Sequence, residues 1–151
     1  GLVLLDTSAR ADRPDQTAMR EGMIELAHSE GIAPVINNLM KVFIAESRHG
    51  DKELTGIIRT MAKDTGVAAF ESQQRAIMGR MDALPLLASV HCPTLVICGD
   101  EDVLTPPKLA EEIANAVPGA ELTMIEGSGH IATLEKPEAV SKALNRFLQR
   151  F

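Results

Sequence analysis

Residues 94–107 read Thr94-Leu-Val-Ile-Cys98-Gly99-Asp-Glu-Asp102-Val-Leu-Thr-Pro106-Pro107. The first five form a continuous apolar run, the pattern of a strand buried on both faces. Two prolines then pre-set φ for a helix start, and Leu109, Ile113, Ala116 and Val117 supply that helix with an apolar stripe. Pro118-Gly119 stops it. Leu122 to Ile125 make another strand, a loop carries Gly127-Ser-Gly-His130, and Pro137 opens a last helix with Val140, Leu144, Phe147, Leu148 and Phe151 on one face. Strand, helix, strand, helix at these short spacings implies an α/β arrangement with parallel strands.

Upstream the pattern differs. Gly1-Leu-Val-Leu-Leu-Asp6 is a second apolar run of the doubly buried kind, closed by the turn-forming Asp6-Thr7-Ser8. From about Pro14 to Asp82 the spacing is helical. Met19, Met23, Leu26 and Ala27 mark one helix, and Val35, Ile36, Leu39, Met40 and Phe43 a second. A third carries Leu54, Ile57, Ile58 and Met61 behind Asp51 as N-cap and ends near Gly66; a fourth runs through Val67, Phe70, Gln74, Ile77 and Met78. Some seventy helical residues without a strand exceed one crossover of a compact βαβ unit, so they are expected to form a separate helical cap. The expected division is a core strand over 1–9, a helical cap over 10–84, and a core α/β segment over 85–151. Because the chain opens inside a strand, it is expected to be part of a longer protein.

The composition excludes several classes. The 151 residues are 45% apolar, enough to bury a core. Fifteen Lys and Arg against twenty-one Asp and Glu leave a formal charge of −6, opposite to the basic footprint of nucleic-acid binders and anionic-membrane proteins. No apolar stretch reaches the roughly 18 residues of a membrane span. Cys92 and Cys98 are too few for a disulfide framework, so a reducing cytoplasm is the expected compartment. Neither they nor His28, His49, His91 and His130 show metal-ligand spacing, and no metal or cofactor is expected.

In open parallel sheets, chemistry gathers beyond the carboxyl ends of the strands. The loop after Cys98 brings Asp102 there, and the loop after Ile125 brings His130. A carboxylate and an imidazole on successive strand ends can meet, the acid setting the tautomer and orientation of the ring.

With these residues the chain resembles the α/β-hydrolase superfamily. The acid-loop pattern G-x-x-D-x-x-x-P appears as Gly99, Asp102 and Pro106, and the histidine pattern as Gly129-His130 followed by Glu135 and Pro137. Pro93-Thr-Leu-Val and Leu4-Leu-Asp6 extend the likeness over the whole chain, which looks most like the enol-lactonase, haloperoxidase and esterase branch with an inserted cap. The resemblance implies the carboxyl-terminal part of that fold, with Asp102 as triad acid and His130 as general base. Asp100 and Glu101 would be variable neighbours.

The family's G-x-S-x-G elbow, which presents the nucleophile and part of the oxyanion hole, is missing. None of Ser8, Ser29, Ser47, Ser72, Ser89, Ser128 and Ser141 lies between glycines at the needed offsets. The implied parent is therefore a hydrolase of carboxylic esters or lactones whose nucleophilic serine precedes this sequence, and residues 1–151 alone are expected to be inactive. The alternatives are a dehalogenase-like or epoxide-hydrolase-like parent with an Asp nucleophile, or a non-catalytic binding module. Expected partners are a small-molecule ester or lactone, and either the missing amino-terminal half or a second copy across Leu2–Leu5. Neither nucleic acid nor membrane is expected.

Met78, Val103 and Ile131 are candidate substrate-lining residues, Val103 and Ile131 because they adjoin the acid and the base. The cap's methionines suit packing more than a pocket. Arg75 and Arg80 suit either an acidic substrate or solvated helix faces. Gly127-Ser-Gly129-His-Ile-Ala132 matches the dinucleotide fingerprint G-x-G-x-x-A, which works only where a helix starts inside it. Pro137 is expected to delay that helix, so the match is read as accidental.

Overall fold

The computed structural model describes residues 1–150; Phe151, expected on the last helical face, lies outside the described residues. Three parallel strands form one sheet in the order β1 (Leu2–Leu5), β2 (Thr94–Gly99), β3 (Glu121–Ile125). The register aligns Leu2 with Thr94 and Leu95 with Glu121. β2 is central and buried at every residue. Its alternating side chains serve two cores, as the two-residue period of a strand dictates. Val96 and Cys98 pack against Ala110 and Ile113 of α5 (Pro107–Ala116), while Leu95 and Ile97 pack against Val140 and Phe147 of α7 (Pro137–Leu148). β1, expected to be buried on both faces, is only half-buried along its length. Among the described residues only β2 pairs with it, in keeping with the expectation that Leu2–Leu5 meets a partner outside this sequence.

The cap is α1 (Pro14–Glu30), α2 (Ile32–Phe43) and α3 (Lys52–Met78). The chain leaves the sheet at Ala9 and returns at Ala83, whose N–H donates to the Ala9 carbonyl at 2.7 Å. Asp51 caps α3 by accepting the Leu54 N–H at 3.0 Å. As expected, two helical arms meet at Gly66 within α3: Gly66 is non-helical, with φ 69 and ψ 174, and helical geometry resumes directly after it. A positive φ is accessible to glycine without strain. Ile36, Met40, Ile44, Leu54 and Ile58 form one cap core; Ile24, Ala27, Val35 and Phe70 form another. Of the cap methionines, Met40 is buried, Met23 and Met78 pack against the second core, and Met19, Met61 and Met81 are exposed. A short α4 (Leu84–Leu87) leads back to β2 and sets Leu87 into the sheet core.

Candidate active site

The loop after β2 folds back on itself, with the Asp102 N–H donating to the Gly99 carbonyl at 3.2 Å. Asp102 is 2% exposed, and both of its carboxylate oxygens are used. Oδ1 accepts the N–H groups of Leu104 and Thr105 at 2.8 and 2.9 Å. Oδ2 accepts from the Thr105 hydroxyl at 2.8 Å and from His130 Nδ1 at 2.9 Å. Burial pushes this carboxyl up, but the hydrogen bonds from His130 and Thr105 prevail and hold it below its ordinary value. The Nδ1 proton is therefore fixed toward Asp102, and His130 Nε2 has no hydrogen-bond partner among the described residues. The ring stacks on Phe43, with centroids 6.1 Å apart and planes 25° apart.

The histidine loop is held at several points. Asp100 Oδ1 accepts the Gly127 N–H at 2.8 Å. Glu135, 4% exposed, accepts the Gly129 N–H at 2.7 Å through Oε2 and the Ala45 N–H at 2.8 Å through Oε1. The Ile131 N–H donates to the Phe43 carbonyl at 3.0 Å. Glycine is required at two places: a Cβ on Gly99 would fall on the carbonyl oxygens of Ser128 and Gly129, and one on Gly129 would stand 2.7 Å from Ala45 N. Acid loop, histidine loop and cap thus meet at backbone contact.

Asp6 joins them from β1. At φ 42 it turns its carboxylate across the strand ends, where Oδ1 accepts the Gly99 N–H at 2.9 Å and Oδ2 the Ala132 N–H at 3.3 Å. Burial raises its pKa, partly offset by those two N–H groups. Asp6, Cys98 and Asp102 offer ligand atoms within 4.8 Å of one another. The carboxylates are committed to N–H donors, and burial pushes the Cys98 thiol up to about 12, so the trio is poor in open donors for a cation.

His130 and Thr105 face a cleft of about 370 Å³ that also touches Asp6, Phe43, Ile77 and Arg80. Ile131 lines a second, cap-side cavity. Met78 packs into the cap core beside Phe70, its neighbour Ile77 reaching the cleft instead, and Val103 is 63% exposed outside both spaces. Arg75 pairs with Glu71, whereas Arg80 donates to the Ser8 and Arg10 carbonyls at the cleft wall. Ser128 is fully buried.

Sequence reading missed Thr105 and the bonding roles of Asp6 and Glu135. The Asp-x-x-Thr spacing, an Asx-turn pattern, was the available signal for Thr105. The expected delay of the helix after His130 is also corrected, because a one-turn α6 (Ala132–Glu135) starts within the G-x-G-x-x-A match. The match still makes no phosphate cradle: Glu135 takes the Gly129 N–H, Asp6 takes the Ala132 N–H, and Ile44 and Ala45 cover Gly129.

Residues 73–150, just over half the chain, match the model of a family described as TAP-like protein, a branch of the α/β-hydrolases. Among solved structures, a thermophilic esterase from Thermogutta terrifontis superposes with a TM-score of 0.93 at 29% identity, over 99% of this chain and 56% of that one. The enol-lactonase of Burkholderia xenovorans shares the fold with a TM-score of 0.86 at 24% identity, over 97% of this chain and 55% of its own. A Mycobacterium tuberculosis protein with the provisional name non-heme bromoperoxidase BpoC is 41% identical over 64 residues, 42% of this chain and 24% of its own length. The chain spans about half the length of the two structures.

Proposed function

Since the chain belongs to the TAP-like protein family of α/β-hydrolases, we propose that its complete form cleaves a carboxylic ester or lactone through an acyl-enzyme. The supporting observation is the 2.9 Å bond between the buried Asp102 carboxylate and the half-buried His130, with Nε2 left free beside the cleft. A serine on a segment outside this sequence attacks the carbonyl carbon while His130 Nε2 removes its proton. Asp102 stabilises the resulting imidazolium. His130 then returns the proton to the leaving alkoxide, and in the second half takes a proton from the water that hydrolyses the acyl-enzyme. The oxyanion donors are supplied by the same outside segment. In this reading residues 1–9 and 85–151 are parts of the catalytic core and 10–84 the cap, the substrate is a small molecule, and the setting is the cytoplasm. The amino-terminal half, or a second copy, lies along β1; nucleic acid and membrane play no part.

Reconstitution tests this reading. Residues 1–151 alone should turn over no p-nitrophenyl ester above background, and adding the amino-terminal segment of the gene should restore turnover that His130→Ala removes. Turnover by the isolated chain, or labelling of Ser128 by a serine-directed phosphonate, would contradict it.

A further inference from the structure

The cap holds a second space beside the catalytic cleft, to which no part of the reaction has yet been assigned. It is a cavity of about 190 Å³ between α2 and the two arms of α3, with Ile36, Ile58, Ala62 and Phe70 among its apolar walls. The Gly66 kink lies between Thr65 and Phe70, which both line it, so the break in α3 helps to form the hollow. Leu39, Phe43 and Gln74 line both this cavity and the catalytic cleft, so the two spaces adjoin. Phe43 stacks on His130, and Ile131, the next residue in the chain, lines the cavity. A group seated there is one aromatic ring away from the imidazole.

The polar group at the boundary has a defined orientation. Gln74 is 8% exposed, and its Oε1 accepts from Arg20 Nη1 at 2.8 Å, while Arg20 is itself held by Asp12. That contact leaves Gln74 Nε2 as an amide donor without a hydrogen-bond partner among the described residues. Of the other polar lining residues, Gln73 is exposed and the Thr65 hydroxyl donates to the Met61 carbonyl. Walls that are apolar apart from Thr65, Gln73 and Gln74 are the make-up of a small-molecule site. In volume the cavity exceeds the roughly 150 Å³ that holds a benzene ring in an apolar protein interior.

We propose that this cavity is a specificity pocket for a compact, uncharged apolar group of about benzene size, and that Gln74 Nε2 donates to an oxygen at that group's edge. Resting on the esterase reading, the occupant is the acyl or alkoxy portion of the substrate nearest the scissile bond. The pocket excludes charged groups because its walls offer them no counter-ion. Gln74 thereby favours substrates whose apolar group carries a carbonyl or ether oxygen.

Binding to the 151-residue chain tests the pocket without any turnover, so its outcome is independent of whether ester hydrolysis is found. In methyl-resolved NMR spectra of the folded chain, ethylbenzene and acetophenone should each shift Ile36, Ile58 and Ile131 saturably. Acetophenone should bind about three- to tenfold more tightly, the worth of one net hydrogen bond. Ala62→Leu, which fills the cavity, should weaken both probes roughly tenfold or more. Thr65→Leu fills it from another wall and gives the same reading should Ala62→Leu fail to fold. Gln74→Glu keeps the shape and the Arg20 partner but replaces the donor, and should erase the difference between the probes. Shifts that do not saturate, or that survive both filling variants, would overturn the pocket. Equal affinities for the two probes, or a difference that persists in Gln74→Glu, would overturn the role of Gln74.

Discussion

Glu135 Oε1 accepts the backbone N–H of Ala45 at 2.8 Å, tying the histidine loop to the segment that follows α2. Its second oxygen holds the Gly129 N–H at 2.7 Å. Removing the carboxyl leaves two buried donors unpartnered, each costing about 1–3 kcal/mol. Glu135→Ala should therefore lose about 3 kcal/mol in urea unfolding, and the His130 ring should lose its stacking shift from Phe43. Glu135→Gln, which keeps one acceptor, should fall between. An unchanged midpoint in Glu135→Ala would show that the loop stands without this clamp.

In the reconstituted enzyme, Asp102→Asn and His130→Ala should each lower kcat by about three to four orders of magnitude with little change in KM. Asp100→Asn should be mild, because the side-chain oxygen that accepts the Gly127 N–H is retained. Steady-state kinetics decide the matter. A crippled Asp100→Asn beside a normal Asp102→Asn would reverse the assignment of the acid.

Acid stability should follow Asp102 and Asp6 in opposite senses. The Asp102 carboxyl titrates below its ordinary value of 3.8, so the stability it contributes is present above that value and is lost as pH falls through its folded pKa. Asp6 titrates above 3.8 through burial, so its ionisation costs stability as pH rises from 3.8 through its folded pKa. Unfolding free energies measured from pH 3 upward should lose the first slope in Asp102→Asn and the second in Asp6→Asn. Asp6→Ala, which strands the Gly99 and Ala132 donors, should cost about 2–3 kcal/mol at neutral pH.

Thiol alkylation should separate the two cysteines. Cys92 is exposed, whereas Cys98 is buried with its thiol pushed up to about 12. Iodoacetamide at pH 8 should add one label to the native chain, on Cys92, and a second only after unfolding. Two labels on the native chain would show that β2 opens readily.

Among the described residues β1 pairs on one side only, and the proposed partner would lie along its other edge. Hydrogen exchange should protect the Leu2–Leu5 amides more fully in an associated species than in the isolated chain. Equal, high protection in a monodisperse monomer would argue that this edge needs no partner.

The residues that local chemistry controls were readable in advance. Continuous apolar runs marked β1 and β2, Asp51 behaved as a cap, Gly66 took the positive φ, and the strand-end rule brought Asp102 and His130 together. What escaped depends on contacts between distant segments. Glu135 was visible only as a letter in a pattern, because nothing in its neighbours reveals that Ala45, ninety residues earlier, donates to it. Asp6 read as a turn former, and its bridge to Gly99 and Ala132 exists only once three strand ends are assembled.

The close approach at Gly99 and Gly129 has an outcome for tolerance to mutation. Neither residue touches a proton in the proposed reaction, and alanine differs from glycine by one methyl group. Yet that methyl at 99 would wedge the acid loop from the histidine loop, and at 129 would lift the loop off Ile44 and Ala45. In a saturation library scored for activity, these two positions should be as intolerant as His130 itself. In one scored only for folding, they should stay intolerant while His130 becomes more tolerant of replacement, its loss costing the buried Asp102 one of several hydrogen bonds.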